Sequence, residues 1–248
     1  MLWKIKMLLT LHILVGLTIL SLFLEPVNSL WVPIDQGFFQ LANSWIKESF
    51  FWQNFWAIAN HRLADFLLED LGFLFLFFWI IYATPAALRQ RKTAECLFIL
   101  IYGAFIILIA NEFLFRNLLH IERKSPTLVM DTFTNLSDTV TWLKIKTKSY
   151  KSFPGDHATT AILSIVGFFF LAREQRTVRI ITLFFGLFLA LPRLIVGAHW
   201  LTDVLIGSGS IIAICFGWAF CTPLASSCIH IVDRGLDKLR IFRVSESL

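Results

Sequence analysis

Charge is scarce in this chain. Asp, Glu, Lys and Arg make up 16% of 248 residues, and the basic ones fall between apolar segments rather than along one amphipathic surface. That distribution excludes a nucleic-acid-binding face in spite of a net charge of +5, because such a face needs a continuous basic stripe. The four cysteines, Cys96, Cys215, Cys221 and Cys228, lie in or just after apolar segments, so they imply neither a disulfide framework nor a metal-ligand spacing. There is no Gly-rich nucleotide loop, no internal repeat and no low-complexity tract, and a single domain over 1–248 is expected.

What is abundant is apolar. Hydrophobic residues make up 57% of the chain, Phe alone numbers 26, and the mean hydropathy is +0.71. These values lie outside the range of a soluble domain and predict an all-α polytopic membrane protein, surrounded by membrane lipids. The run from Met7 to Leu24, preceded by Lys4 and Lys6, is long enough to span, since about 20 helical residues cross a bilayer. A cleaved signal peptide is the competing reading, but Val27-Asn28-Ser29 makes a poor cleavage site. Further spans are expected at about 71–88, 96–115, 158–172, 180–196 and 200–221, six in all. Between the first two, residues 31–70 are aromatic but interrupted by Lys47, Asn54, His61, Arg62 and Asp65, which predicts amphipathic helices at the interface. Trp45, Trp52 and Trp56 suit an aromatic belt there.

Six spans place both termini on one side. With the N-terminus inside, Arg89, Arg91, Lys92, Arg173, Arg176, Arg179, Arg234 and Lys238 are cytoplasmic, whereas the outside basic residues concentrate in the loop 116–156. The loop carries anion-binding candidates, so the bias supports this orientation once they are set aside. The segment 31–70 is then a periplasmic interfacial segment and 116–156 a periplasmic active-site loop.

The stretch from Phe153 to Asp203 holds the chemistry. Phe153-Pro154-Gly155-Asp156-His157 ends in a histidine where a Pro-Gly turn should open a helix, whose free N–H groups favour a phosphate. Arg193 precedes His199 by six residues, and Asp203 follows it by four. On a helix His199 and Asp203 would share a face, with the carboxylate accepting one imidazole N–H and the other nitrogen left as a nucleophile. Together these residues predict phosphoryl chemistry.

The same residues resemble the type 2 phosphatidic acid phosphatase family, whose third signature block is Arg, five residues, His, three residues, Asp. Phe-Pro-Gly-Asp-His is similar to its second block, usually Pro-Ser-Gly-His. Trp31-Val32-Pro33-Ile34-Asp35, Ser125-Pro126-Thr127 and Pro192-Arg193 with Gly197-Ala198-His199-Trp200 resemble one branch, and the likeness covers roughly 30–223. That branch carries a phosphate from undecaprenyl diphosphate to the 1-phosphate of lipid A in Gram-negative inner membranes. The resemblance implies His199 as the nucleophile that becomes phosphohistidine, Asp203 as its partner and His157 as general acid and base. It implies Arg193 and Arg123 as phosphate forks, with Lys124 and Gly155 beside them.

The family's first block is Lys, six residues, Arg-Pro. Arg116 is followed by six residues and then Arg123, either in place of that lysine or snorkelling from its span, and Lys124-Ser125 intervene before Pro126. Asp156 cannot donate to a phosphate when ionised; it caps the helix, orients a basic partner or positions the acceptor. Lys144, Lys146, Lys148 and Lys151 either bind a second phosphate or touch headgroups. No cofactor or metal is implied. A lipid phosphatase using water, and a non-catalytic lipid-binding or transport protein, remain as alternatives.

Overall fold

The computed structural model describes residues 4–47, 49–119 and 121–239, with the side chain of Arg116 outside the described set. Among these residues the secondary structure is helical, with one isolated bridge between Arg123 and Lys151. Five helices are long and apolar enough to cross a membrane: α1 (Ile5–Phe23), α4 (Arg62–Ala83), α5 (Ala86–Phe115), α7 (Arg176–Ile195) and α8 (Asp203–Cys221). A sixth apolar helix, α6 (Asp156–Leu171), is 16 residues long and packs among them. Two amphipathic helices, α2 (Asn28–Ser44) and α3 (Phe50–Ala59), lie between α1 and α4, and α9 (Leu224–Lys238) follows α8.

Lipid tails are as apolar as leucine, so close backbone approach rather than water exclusion holds such a bundle together. Small residues supply that approach. A Cβ on Gly186 of α7 would stand 2.4 Å from Ile165 of α6, and one on Gly217 of α8 would stand 2.4 Å from Leu11 of α1. The central core joins α4, α5, α6 and α8 through Leu76, Ile80, Ile99, Phe168 and Ile211.

Several boundaries move from their expected places, each for a local reason. The expected break at Arg89-Gln90-Arg91-Lys92 falls inside α5, and the turn is at Thr84-Pro85, where proline forces Thr84 into extended backbone. Helix can continue through these charges because Lys92, 6% exposed, donates to Glu95 and to the Leu171 carbonyl, while Arg173 pairs with the same Glu95 at 2.9 Å. Removing either partner of the buried Lys92–Glu95 pair costs about 3–5 kcal/mol, and through the Leu171 carbonyl and Arg173 the pair locks α5 to the end of α6. Likewise Arg176 and Arg179 belong to α7. Residues 62–70, expected at the interface, instead form the first turns of α4, passing through a π-helical turn at Phe66–Leu71. The last stretch forms α9, tied to α5 by Gln90 donating to Asp233 at 3.0 Å.

At the opposite end from Lys92, helices α2 and α3 and the loop after α5 form a cap over the end of α7, around Ala42, Ile46, Trp56, Leu136 and Val140. Within this loop the two arms are stapled together. Ser152 N–H donates to the Arg123 carbonyl at 2.9 Å, and Ser125 N–H to the Ser149 carbonyl at 2.9 Å. The buried Thr127 hydroxyl reaches the Thr147 carbonyl at 2.5 Å. The Ser125-Pro126-Thr127 motif is therefore the hinge that folds the loop back onto the bundle.

Candidate active site

The cap end gathers the N-termini of α4, α6 and α8 and the C-terminus of α7. Gly197 makes this possible: its φ of +79° turns the chain sharply after α7, in a left-handed region that suits a residue without Cβ. A Cβ there would also lie 2.7 Å from the Phe39 ring and the Thr127 methyl. The turn delivers His199 into a buried position ahead of α8.

That position overturns the expected pairing of His199 with Asp203 on one helix face, since His199 precedes the helix. The Nδ1 of His199 lies 2.7 Å from the Ser152 carbonyl. A carbonyl only accepts, so Nδ1 carries the proton, and the neutral ring presents the lone pair of Nε2, which lies 3.8 Å from Asp156. Burial pushes the His199 pKa below the usual imidazole value, the nearby Asp203 and Asp156 carboxylates and the Ser152 carbonyl opposing this and Arg193 adding to it. A neutral, nucleophilic imidazole is the outcome. Gly155 lies close beside it: a Cβ there would meet Nδ1 of His199 at an ordinary contact distance of 3.4 Å and crowd the Ala158 methyl at 3.0 Å.

Asp203 has other partners. It is fully buried, accepts the Trp200 N–H at 2.8 Å, and accepts from Arg123 at 2.5 Å. Arg123 is thereby held between carboxylates, its other nitrogen donating to Asp35 at 2.7 Å, and it also donates to the Thr202 hydroxyl. Asp35, on α2 and 2% exposed, further accepts from the N–H and hydroxyl of Thr202. So Asp35 ties α2, the loop and the start of α8 together. Lys124 is exposed at a cavity of about 420 Å³ that Arg123, Glu122 and Trp200 also line. Arg116 lies within the helical turns Ile106–Leu118, and the placement of its side chain is outside the described residues. Lys144, Lys146 and Lys148 are exposed on the loop.

Arg193 and His157 form the other half of the site. One guanidinium nitrogen of Arg193 donates to the Asn60 carbonyl at 2.6 Å and to the Asn60 side-chain oxygen. The second donates to Asp65 at 2.7 Å and lies 3.0 Å from Nε2 of His157. Since arginine only donates, Nε2 of His157 accepts and its Nδ1–H is turned to Glu69, 3.1 Å away. Asp65 and Glu69 stand one turn apart on α4 and meet both basic groups. They present ligand atoms within 4.8 Å of one another together with His157, but the Arg193 guanidinium already takes Asp65 and the free nitrogen of His157. Charge inside an apolar helix is the sequence signal that could have marked Asp65 and Glu69. Asp35 lay in the Trp31–Asp35 stretch without standing out as part of the site.

Two histidines, a buried guanidinium and a helix N-terminus at the end of a membrane bundle form an arrangement that suits phosphoryl transfer. Residues 119–225 match the PAP2 superfamily. Over 231 residues, 90% of each chain, the protein is 35% identical to the lipid A 1-diphosphate synthase of Escherichia coli (strain K12). The chain therefore belongs to the PAP2 superfamily and is an enzyme of the phosphotransferase and phosphatase type. No solved structure matches it.

Proposed function

We propose that this enzyme moves the terminal phosphate of undecaprenyl diphosphate, through a phosphohistidine on His199, to the 1-phosphate of lipid A, at the periplasmic face of a bacterial inner membrane. The observation that carries the reading is the His199 geometry: a buried ring with Nδ1–H on the Ser152 carbonyl and its lone-pair nitrogen facing the start of α6. Nε2 attacks the terminal phosphorus as the bond to the bridging oxygen breaks and undecaprenyl phosphate leaves. An oxygen of the acceptor phosphate then attacks the same phosphorus, and the N–P bond breaks. The imidazolium form of His157, protonated at Nε2 once the phosphate has drawn Arg193 away from it, supplies the proton that the departing oxygen takes, and the neutral ring so left receives one back from the acceptor. Arg193 holds the equatorial oxygens, with its fork set by Asn60 and Asp65. Arg123 bears on the phosphate from beside Asp203, and the lysines of the loop strengthen the positive field.

Similarity to a lipid A 1-diphosphate synthase over nearly the whole chain supports transfer to a lipid. So does the line of carboxylates, Asp65, Glu69 and Asp156, around the histidines. A second anionic lipid and an apolar cap would keep water from the phosphohistidine. The periplasmic assignment draws on the basic residues Arg91, Lys92, Arg173 and Arg176, which gather at the other end.

The test uses purified protein and undecaprenyl diphosphate labelled in its terminal phosphate, with and without lipid A. Label should pass to lipid A, and lipid A should accelerate donor consumption. Equal release of inorganic phosphate in both cases, with no labelled lipid A, would replace the transferase with a phosphatase.

A further inference from the structure

Arg123 also borders a space outside the cluster of histidines. The cavity of about 420 Å³ beside Lys124 opens between the end of α1, the loop, and the face of α2 that carries Asn28, Val32 and Gln36 at four-residue spacing. It adjoins the nucleophile through a single residue. Ser152 holds the Arg123 carbonyl with its N–H at 2.9 Å and its hydroxyl at 3.0 Å, and its own carbonyl takes the Nδ1–H of His199 at 2.7 Å. Trp200, next in the chain after His199, lines the cavity too. Its Nε1–H donates to the Lys124 carbonyl at 2.8 Å, and the Arg123 guanidinium lies 5.8 Å from its ring centre. One wall of the cavity is therefore fixed to the same framework as His199.

The lining selects among ligands. Its charges balance, with Arg123 and Lys124 against Asp35 and Glu122, so a diphosphate would find no net attraction there. Asp35 is moreover taken up by Arg123 and by Thr202. What the walls offer is hydrogen bonding of both kinds: the amides of Asn28 and Gln36 donate and accept, and the Lys124 ammonium donates. Such a mixture suits a ring bearing hydroxyl and amide groups. The remaining edge is apolar. Leu22 and Phe23 close it where α1 ends, and Phe23 is 46% exposed, so the cavity is entered beside the bilayer. A sugar carried on a lipid matches both the polar walls and the apolar edge.

Resting on the reading of the enzyme as a phosphotransferase to lipid A, we infer that this cavity seats the acceptor's sugar, the one that carries the 1-phosphate, and so brings that phosphate to Arg123. A phosphate on a sugar carbon adjoins its ring directly, and a cavity that shares Arg123 with the site meets this requirement. The two arginines then divide the substrates. Arg193, set by Asn60 and Asp65, serves the donor, and Arg123, set by Asp35 and Asp203, receives the acceptor.

Val129→Trp fills the cavity from its exposed side, and Gln36→Ala removes an amide from its wall. Both are assayed in detergent with undecaprenyl diphosphate labelled in its terminal phosphate. KM for lipid A should rise about tenfold or more in Val129→Trp and about threefold in Gln36→Ala. KM for the donor should not move, and a larger share of label should leave as inorganic phosphate. An unchanged KM for lipid A in both variants overturns the cavity and leaves the transferase standing, and a parallel rise in donor KM overturns a separate seat for the acceptor. Ser44→Trp, at the far end of α2, controls for disturbance of that helix; an equal rise there also overturns the inference. The unmodified enzyme gives a measurement that no folding defect can obscure. N-acetylglucosamine 1-phosphate should compete with lipid A and not with the donor, and glycerol 3-phosphate should do so about tenfold more weakly. Equal potency, or no inhibition by either, overturns the sugar assignment. If the unmodified enzyme places no label on lipid A, the functional reading itself falls, and the inference with it.

Discussion

Each of the two histidines has one ring nitrogen committed to an oxygen of its surroundings, and that commitment assigns their work. Ser152 fixes the proton of His199 on Nδ1, and Glu69 fixes that of His157. Because burial lowers the His199 pKa from its ordinary 6.5, the ring stays neutral, and therefore nucleophilic, to a lower pH than a solvated imidazole. The acid limb of kcat/KM should then lie below 6.5. Asp203→Asn removes a negative charge that favours the imidazolium, so the limb should shift further down, and the plateau should fall roughly 10²- to 10⁴-fold. His199→Ala should leave an inserted protein without turnover. An acid limb at or above the ordinary imidazole value would argue that another group is the nucleophile. The spacing of Arg193, His199 and Asp203 was legible in the sequence because it is short-range, and His157 because it ends a Pro-Gly turn at the start of an apolar run. The hydrogen bond from His199 to Ser152 was not, because it joins residues that only the folded loop brings together. Asp65 looked like an interruption of an aromatic segment and Glu69 did not stand out, since nothing local announces their partners 88 or more residues away.

At the level of elements, the site is a set of helix ends held in register by a turn and a loop. Gly197 is the critical joint: alanine there meets both an unfavourable φ and a clash with Phe39 and Thr127. We expect Gly197→Ala to destabilise the cap by about 1–3 kcal/mol. It should lower activity more than tenfold, even where the protein inserts, because His199 moves with the turn. Thermal unfolding in detergent and a turnover assay measure the two effects, and a variant with normal stability and normal rate would show that the turn is not what places the ring. Element type was readable from apolar runs, whereas element ends were not. Hydropathy assigns charges to loops, and here Lys92 and Glu95 pair inside the bundle, with Arg173 of the following turn on the same Glu95, so α5 runs through the first two. In the same way Asp65 and Glu69 enter α4 because His157 and Arg193 receive them.

For the whole molecule the two ends of the bundle differ in what they do with charge. At one end Asp35, Asp65, Glu69 and Asp203 are spent on arginines and histidines that chemistry would use. At the other, Arg91 and Lys92 with Arg173 are paired to Asp233 and Glu95, and Arg176 and Lys238 add to them at the membrane surface. An excess of basic residues on short connections marks the cytoplasmic side, so the cap should face the periplasm. Ser137, exposed in the cap, and Glu174, exposed in the turn between α6 and α7, report the two sides. In a background lacking Cys96, Cys215, Cys221 and Cys228, a cysteine at Ser137 should react with an impermeant thiol reagent in cells whose outer membrane alone is permeabilised. One at Glu174 should react only after the inner membrane is opened. Labelling in the reverse order would turn the histidines to the cytoplasm and separate them from any acceptor phosphate displayed on the outer leaflet. The proposed transfer to lipid A would then have to be abandoned, while the PAP2 membership and the geometry of the phosphate site would stand.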